Sequence, residues 1–185
     1  MDGLNWASII PIAAGSGVIA AGVTQCFQWY RDRNKAKGEA LYCAVKLIVK
    51  LEHFAIECVA SVERHHAMSL ESSYNNQLCQ SPSISWADEN LSALDPVVSS
   101  KIVWFSTEVK LAYRQISQNM SDDPDPEFLI LSHINLVGYM GYKSIEMADS
   151  LRRIYKLPPL ISDWSLFDKK VYLESFWVKA KTLLR

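Results

Sequence analysis

The stretch WASIIPIAAGSGVIAAGVTQCFQWY, residues 6–30, sets the organisation of this chain. Between Trp6 and Thr24 it carries no ionisable side chain. At about 1.5 Å of rise per residue, a helix of that length spans roughly 28 Å, which is close to the ~30 Å hydrocarbon core of a bilayer. The sequence therefore predicts a transmembrane helix here.

Aromatic and basic residues flank this stretch as they flank membrane helices. Aromatic rings prefer the headgroup level, and the cations that follow Tyr30 would face anionic lipid headgroups. Because Lys and Arg resist translocation, this asymmetry predicts an outside N-terminus and a cytoplasmic remainder, as in a single-pass protein of the inner membrane. The predicted interface residues are Trp6, Trp29, Tyr30, Arg31 and Arg33.

Two other interpretations of residues 6–30 stay open. A cleaved signal peptide would need a basic start, whereas only Asp2 is charged before Trp6. A buried helix of a soluble protein would fit the moderate hydrophobicity, but the glycines of the stretch are poor helix formers in water.

Small residues recur every four positions in this stretch, at Ala13, Gly17 and Ala21. Such a face lets two membrane helices pack closely, so it indicates a homo-oligomer. The alternative, which is slightly favoured, is that Ala and Gly are simply frequent in membrane helices.

The remaining residues, 31–185, carry 19 basic and 19 acidic side chains, so their formal charge is zero. A neutral domain lacks the electrostatic footprint of nucleic-acid binding. The four cysteines, at positions 26, 43, 58 and 79, show no C-x-x-C spacing and are expected to be free thiols in the cytoplasm.

Helical periodicity continues through these residues. A coiled-coil-like seam predicts one helix over residues 39–63, and Asp95-Pro96 is a typical helix start. Further helices are expected over residues 127–156, where Gly138 and Gly141 suggest a close helix crossing, and from Ser165 onward. The seam residues are Leu41, Ala44, Ile48, Leu51, Ala55, Cys58 and Val62.

The sequence as a whole predicts an all-α protein. Its parts are a single N-terminal transmembrane helix (1–30) and a cytoplasmic bundle of about four helices (31–185), with a long loop over residues 69–94. Trp86, Leu91 and Leu94 are expected to attach the end of that loop to the core.

Three strings carry a family resemblance: LEHFAIEC at 51–58, Leu94-Asp95-Pro96 after Trp86, and SLRRIYKLPPL at 150–160 before Trp164. With them the chain resembles a family of small bacterial proteins that have one N-terminal membrane helix and a helical cytoplasmic domain. The resemblance implies the same architecture and carries over no catalytic residue.

Candidate metal ligands are few. Glu63 and His66 form an E-x-x-H step, and His53 and Glu57 lie one turn apart, a spacing that can offer a carboxylate and an imidazole to a metal. A second such motif is missing, so a metal-dependent hydrolase is the weakest hypothesis. No G-x-S-x-G elbow, P-loop or G-x-G-x-x-G motif occurs, and no cofactor is predicted.

Other charged and aromatic groups have two interpretations each. Arg152 and Arg153 could bind phosphate, but an Asp149–Arg153 pair on an outer face is favoured. Aromatic residues such as Trp104 and Phe105 could line a pocket, but their helical spacing favours the core.

The favoured function is a membrane-anchored interaction or regulatory module without a catalytic site. Its seam would pack internally or against a second copy, and its partners would be the lipid bilayer and an unknown protein. The alternative is an oligomerising, membrane-active effector of the defence or toxin type.

Overall fold

Four α-helices and one short 3-10 helix make up the part of the chain that the computed structural model describes, which is residues 6–69, 79–122, 126–159 and 166–183. The helices are α1 (Trp6–Ser69), α2 (Pro96–Asp122), α3 (Pro126–Ile154) and α4 (Leu166–Leu183), and the 3-10 helix is Leu91–Ala93. These residues contain no strand, so the predicted all-α class is confirmed.

The chain divides into two compact units, residues 1–41 and residues 42–185. Helix α1 contributes to both of them and is longer than the predicted helix over residues 39–63, with Gly38 inside it. The predicted division at residue 30 was based on charge and lipid exposure, and it stays a prediction.

Helix α1 includes all of residues 6–30, the predicted membrane span. Within the described residues, however, no helix is long and apolar enough to cross a membrane. The side chains of residues 6–24 lie outside that description, and with them those of Trp6, Ala13, Gly17 and Ala21. The span is therefore not confirmed, and the small-residue packing face stays a prediction.

The predicted seam of α1 lies in the core of the second unit. Its members from Ala44 to Val62 are all buried within the chain, and Leu41 alone is 40 % exposed. At its centre, Phe54 meets Phe105 of α2 edge to face, with ring centroids 5.9 Å apart. Of the two predicted roles for the seam, the structure supports internal packing for these residues.

Helix α2 begins as the sequence predicts. The Asp95 carboxylate accepts hydrogen bonds from the backbone N–H groups of Val97 (2.9 Å) and Val98 (3.4 Å), and Pro96 occupies the first helical position. This cap satisfies donors that have no partner inside the helix. Phe105 is buried as expected, but Trp104 is exposed, because one residue of helix rotates a side chain by about 100°.

Helix α3 makes the close crossing that its glycines predict. A Cβ on Gly138 would lie 2.5 Å from Cγ of Phe176 in α4, and one on Gly141 would lie 2.8 Å from Cβ of Cys58 in α1. Two different helices therefore approach the α3 backbone on neighbouring turns, and side chains at these positions would separate them.

The end of α3 is fixed by a Schellman motif. The N–H of Leu157 donates to the carbonyl of Arg152 (2.9 Å), the N–H of Lys156 donates to that of Arg153 (3.4 Å), and Lys156 has a φ of 54°. This left-handed residue usually is glycine. Pro158 follows and cannot continue a helix.

The described part of the predicted loop, residues 79–94, is firmly attached to the bundle. Trp86 and Leu94 are buried, as predicted, together with Cys79 and Ile84. The Glu89 side chain, only 2 % exposed, lies 2.9 Å from the Lys46 ammonium and 2.8 Å from that of Lys50. Burial alone would raise the pKa of Glu89, but the hydrogen bonds from Lys50 and Lys46 outweigh it, so this pKa lies below its ordinary value.

The glycine crossing predicts the effect of one added methyl group. Gly141→Ala should lower the free energy of unfolding by about 1–3 kcal/mol, because the Cβ of Cys58 cannot move without α1. Gly38→Ala is the matched control, since its Cβ would meet nothing within 4 Å, and it should be neutral or raise stability by up to about 1 kcal/mol. Denaturant unfolding measures both, and equal stabilities would contradict the close crossing.

Replacing the buried carboxylate should also have a pH signature. Glu89→Gln should cost about 1–3 kcal/mol at pH 7, because two lysines lose their charged acceptor. In the wild type this contribution is complete above about pH 4.5 and is lost as the pH falls through the lower pKa of the folded state. Unfolding curves at several pH values should show that the variant lacks this loss, whereas Asp88→Asn, at the exposed neighbour, keeps it.

Candidate functional site

The first candidate surface is an aromatic and basic segment of α1 over residues 27–37, here called the interface segment. Phe27 is 71 % exposed and Trp29 and Tyr30 are each 62 % exposed. Four cations follow them and are also exposed: Arg31, Arg33, Lys35 and Lys37. The Arg33 guanidinium lies 5.2 Å from the centroid of the Trp29 ring, a cation–π contact.

This chemistry suits the boundary between lipid and water. Three large rings in succession on a helix expose apolar surface that water solvates poorly. Interfacial Trp and Tyr rings keep their apolar body toward the acyl chains, and cations near an anionic headgroup layer contribute roughly 1 kcal/mol each. Asp32 is the only acid among residues 27–37, so the segment favours an anionic surface.

The candidate metal ligands do not form a site. His53 Nδ1 lies 3.6 Å from the Glu57 carboxylate, and both side chains are exposed. Glu63 and His66 are also exposed. Across the described ranges, no group of three or more His, Cys, Asp or Glu side chains is placed to hold a metal ion. The weak hypothesis of a metal site at these four residues gains no support from that part of the chain.

A second candidate, which sequence reasoning missed, is a polar cluster around His133 of α3. His133 is buried, and its Nε2 lies 2.8 Å from the hydroxyl of Ser81, a residue 52 positions away in the chain. The Tyr113 ring meets the imidazole edge to face at 5.9 Å. Periodicity marks His133 as an inward position, but no local signal selects Ser81 as its partner.

The cluster continues from Ser81 to α1. The Ser61 hydroxyl donates to the backbone carbonyl of Gln80 and lies 3.2 Å from Sγ of Cys79. Arg64 donates to the side-chain oxygen of Gln80 at 2.8 Å. A cavity of about 400 Å³ opens here, lined by Glu57, Ala60, Ser61, Arg64, Gln80, Ser81, Pro82 and Ser83.

An exposed serine hydrogen-bonded to a buried histidine resembles a catalytic nucleophile and its general base. The position of the proton on the imidazole of His133 argues against that role. A base at Nε2 must carry its proton on Nδ1, and Nδ1 of His133 is buried with no hydrogen-bond partner among the described residues. Placing a donor there would leave an N–H group unsatisfied. The hydrogen bond between Nε2 of His133 and the Ser81 hydroxyl holds the loop on α3.

Burial also makes the reactive groups of the second unit unreactive. It lowers the pKa of His133 to about 4, with a smaller contribution from His65. It raises the pKa of the thiols of Cys43, Cys58 and Cys79, which are buried and not bridged. Thiolates, not thiols, are the nucleophilic form, so this chemistry is suppressed at neutral pH.

A cavity of about 550 Å³ lies where α3 ends beside α4. Its Lys170 binds Glu146 (2.6 Å) and Asp149 (2.7 Å), and Arg152 pairs with Glu52 of α1. The predicted Asp149–Arg153 pair is therefore wrong, because Asp149 binds Lys170 of α4, whereas Arg153 is exposed, as an outer face requires. The cavity is lined by two carboxylates and four cations, of which Lys170 and Arg152 are engaged in these ion pairs. Phosphate binding by the arginines stays a hypothesis.

Comparisons with known proteins add no family. No family model, no curated protein and no solved structure matches this chain.

The His133 site predicts an acid-dependent loss of stability. An unfolded histidine takes up its proton near pH 6.5, whereas folded His133 stays neutral until about pH 4. Its contribution is thus complete above pH 6.5 and is lost as the pH falls toward 4, by about 3 kcal/mol.

Denaturant unfolding between pH 7 and pH 4 measures this loss. His133→Gln should flatten the dependence, whatever its effect on stability at pH 7, whereas His53→Gln, at an exposed position, should retain it. A wild-type stability that does not change over this range would contradict the assignment.

Proposed function

We propose that this protein is a membrane-anchored helical interaction module. Residues 6–30 would be solvated by lipid in the inner membrane of a bacterium, with the N-terminus outside. Residues 42–185 would form a regulatory or scaffolding body on the cytoplasmic side. Its partners would be the bilayer and another protein chain, and it would perform no reaction itself.

The interface segment carries this proposal. Helix α1 there presents three exposed aromatic rings followed by four exposed cations, and the preceding residues 6–24 contain no ionisable side chain. An uncharged stretch, an aromatic belt and a basic cluster in that order are the features by which single-pass helices are recognised and oriented.

The second unit supports a binding role. The seam residues from Ala44 to Val62 are already buried within this unit, so a partner would bind to its exposed faces. Its thiols and His133 are buried, as described above. The exposed residues that remain are suited to contacts with other surfaces.

Fractionation and cysteine labelling test the anchor and its direction. In cells that express the full chain, Gly3→Cys should react with a membrane-impermeant maleimide added outside. Ser92→Cys, at an exposed position of the second unit, should react only after permeabilisation. Changing Arg31, Arg33, Lys35 and Lys37 together to Gln should mix the two orientations, because the basic bias is removed.

The control is a matched variant in which four other cations are changed to Gln: Lys101, Lys110, Arg114 and Arg153. It should keep the wild-type orientation. A full-length chain that remains in the supernatant after high-speed centrifugation without detergent would overturn the anchor. Dye release from vesicles by the purified chain would instead favour the membrane-active effector.

A further inference from the structure

Helix α2 carries an apolar face that the bundle leaves uncovered. Val97 is 63 % exposed, Trp104 61 % and Leu111 53 %. They are spaced by seven residues, so each is turned by about 20° from the next and all three lie on one side of the helix, within about 40° of each other. We call these three residues the α2 stripe. The inward residues Ile102 and Phe105 are turned by about 160° and about 100° from Trp104 and are buried.

Two opposite charges flank the stripe along the same edge. At about 100° per residue, Lys101 and Glu108 lie roughly 60° and 40° to one side of Trp104. Lys101 precedes Trp104 by about one turn and Glu108 follows it by about one turn. The Glu108 carboxylate is held in place by Lys143 of α3 at 2.5 Å.

We infer that the α2 stripe is the contact of a two-fold symmetric homodimer in which the two α2 helices run antiparallel and cross at Trp104. In a two-fold contact, residue i meets residue j and j meets i. Val97 then lies opposite Leu111 of the second copy. Lys101 lies opposite Glu108 of the second copy, with an offset of about one residue along the helix. Two Lys–Glu pairs thus form at the edge of an apolar centre.

The order of these residues along α2 indicates that the partner of the α2 stripe is a second copy of this chain. Along α2 the order is apolar, basic, aromatic, acidic and apolar, with Trp104 at the centre. An antiparallel second copy therefore places an acidic residue beside each basic one and an apolar residue beside each apolar one. A parallel pair would place Lys101 level with Lys101 and Glu108 level with Glu108, which repel. A central Trp surrounded by smaller apolar residues and a charged rim is also the usual anatomy of a binding hot spot. This inference rests on α2 alone and does not depend on membrane attachment.

Cysteine cross-linking of the full chain, with Cys26 changed to Ala, tests the geometry. Val97→Cys and Leu111→Cys should form a disulfide dimer when the two variants are mixed. Either variant alone should not, because the two copies of position 97 would lie about 20 Å apart along the helices. Efficient self-linking of Val97→Cys would show a parallel contact and overturn the proposal.

Charge reversal tests the pairing. Trp104→Ala should weaken self-association at least thirtyfold, and Lys101→Glu at least tenfold, in sedimentation measurements. The double change of Lys101→Glu with Glu108→Lys should restore association. Lys110→Glu, on the other edge of α2, is the control and should have little effect.

Thermal unfolding separates lost association from lost folding, since Trp104 and Lys101 are exposed and their variants should retain the wild-type bundle. The proposal fails if the wild-type chain is a monomer at every concentration. It also fails if Trp104→Ala associates as strongly as the wild type does. A third contradicting result would be a disulfide dimer of Val49→Cys, on the exposed side of α1, without one from the mixed Val97→Cys and Leu111→Cys variants.

Discussion

The absence of side chains at two positions of α3 is the constraint on which the bundle depends. At Gly141 the backbone lies against Cys58 of α1, and at Gly138 it lies against the Phe176 ring of α4. Only at this separation can the long apolar face of α1 reach the inward residues of the other helices. A larger residue at either position would force its neighbour to shift, so the close packing of these three helices depends on the two glycines.

A second constraint holds the irregular chain between α1 and α2. Residues 79–94 make few helical hydrogen bonds, so their position depends on specific anchors. Trp86 and Leu94 supply buried apolar surface, Glu89 binds two lysines of α1, and Ser81 binds His133. Polar anchors of this kind are directional, and they fix a loop that hydrophobic burial alone would leave free to slide.

What the sequence could predict is what is encoded locally. The seam of α1, the Asp95 cap and the glycine crossing all follow from spacing within one or two turns. Contacts between distant residues could not be predicted: Ser81 and His133 are 52 positions apart, and Glu52 and Arg152 are 100 apart. The Asp149–Arg153 prediction failed for the same reason, because the stronger partner of Asp149 belongs to another helix. The metal half-motifs likewise need tertiary partners that the described residues do not bring together.

Helical spacing also fails to distinguish a core face from a docking face, because both recur at the same period. Phe105 and Trp104 are neighbours with similar hydrophobicity, yet one is buried and the other is exposed. Since His133 and the thiols of the second unit are buried and held in neutral forms, the groups of this unit that can react or bind at neutral pH are those on its surface. Aromatic rings beside cations in the first unit and an apolar stripe between opposite charges in the second unit are surfaces for binding. The proposal of a binding module rests on these two exposed surfaces, one in each unit.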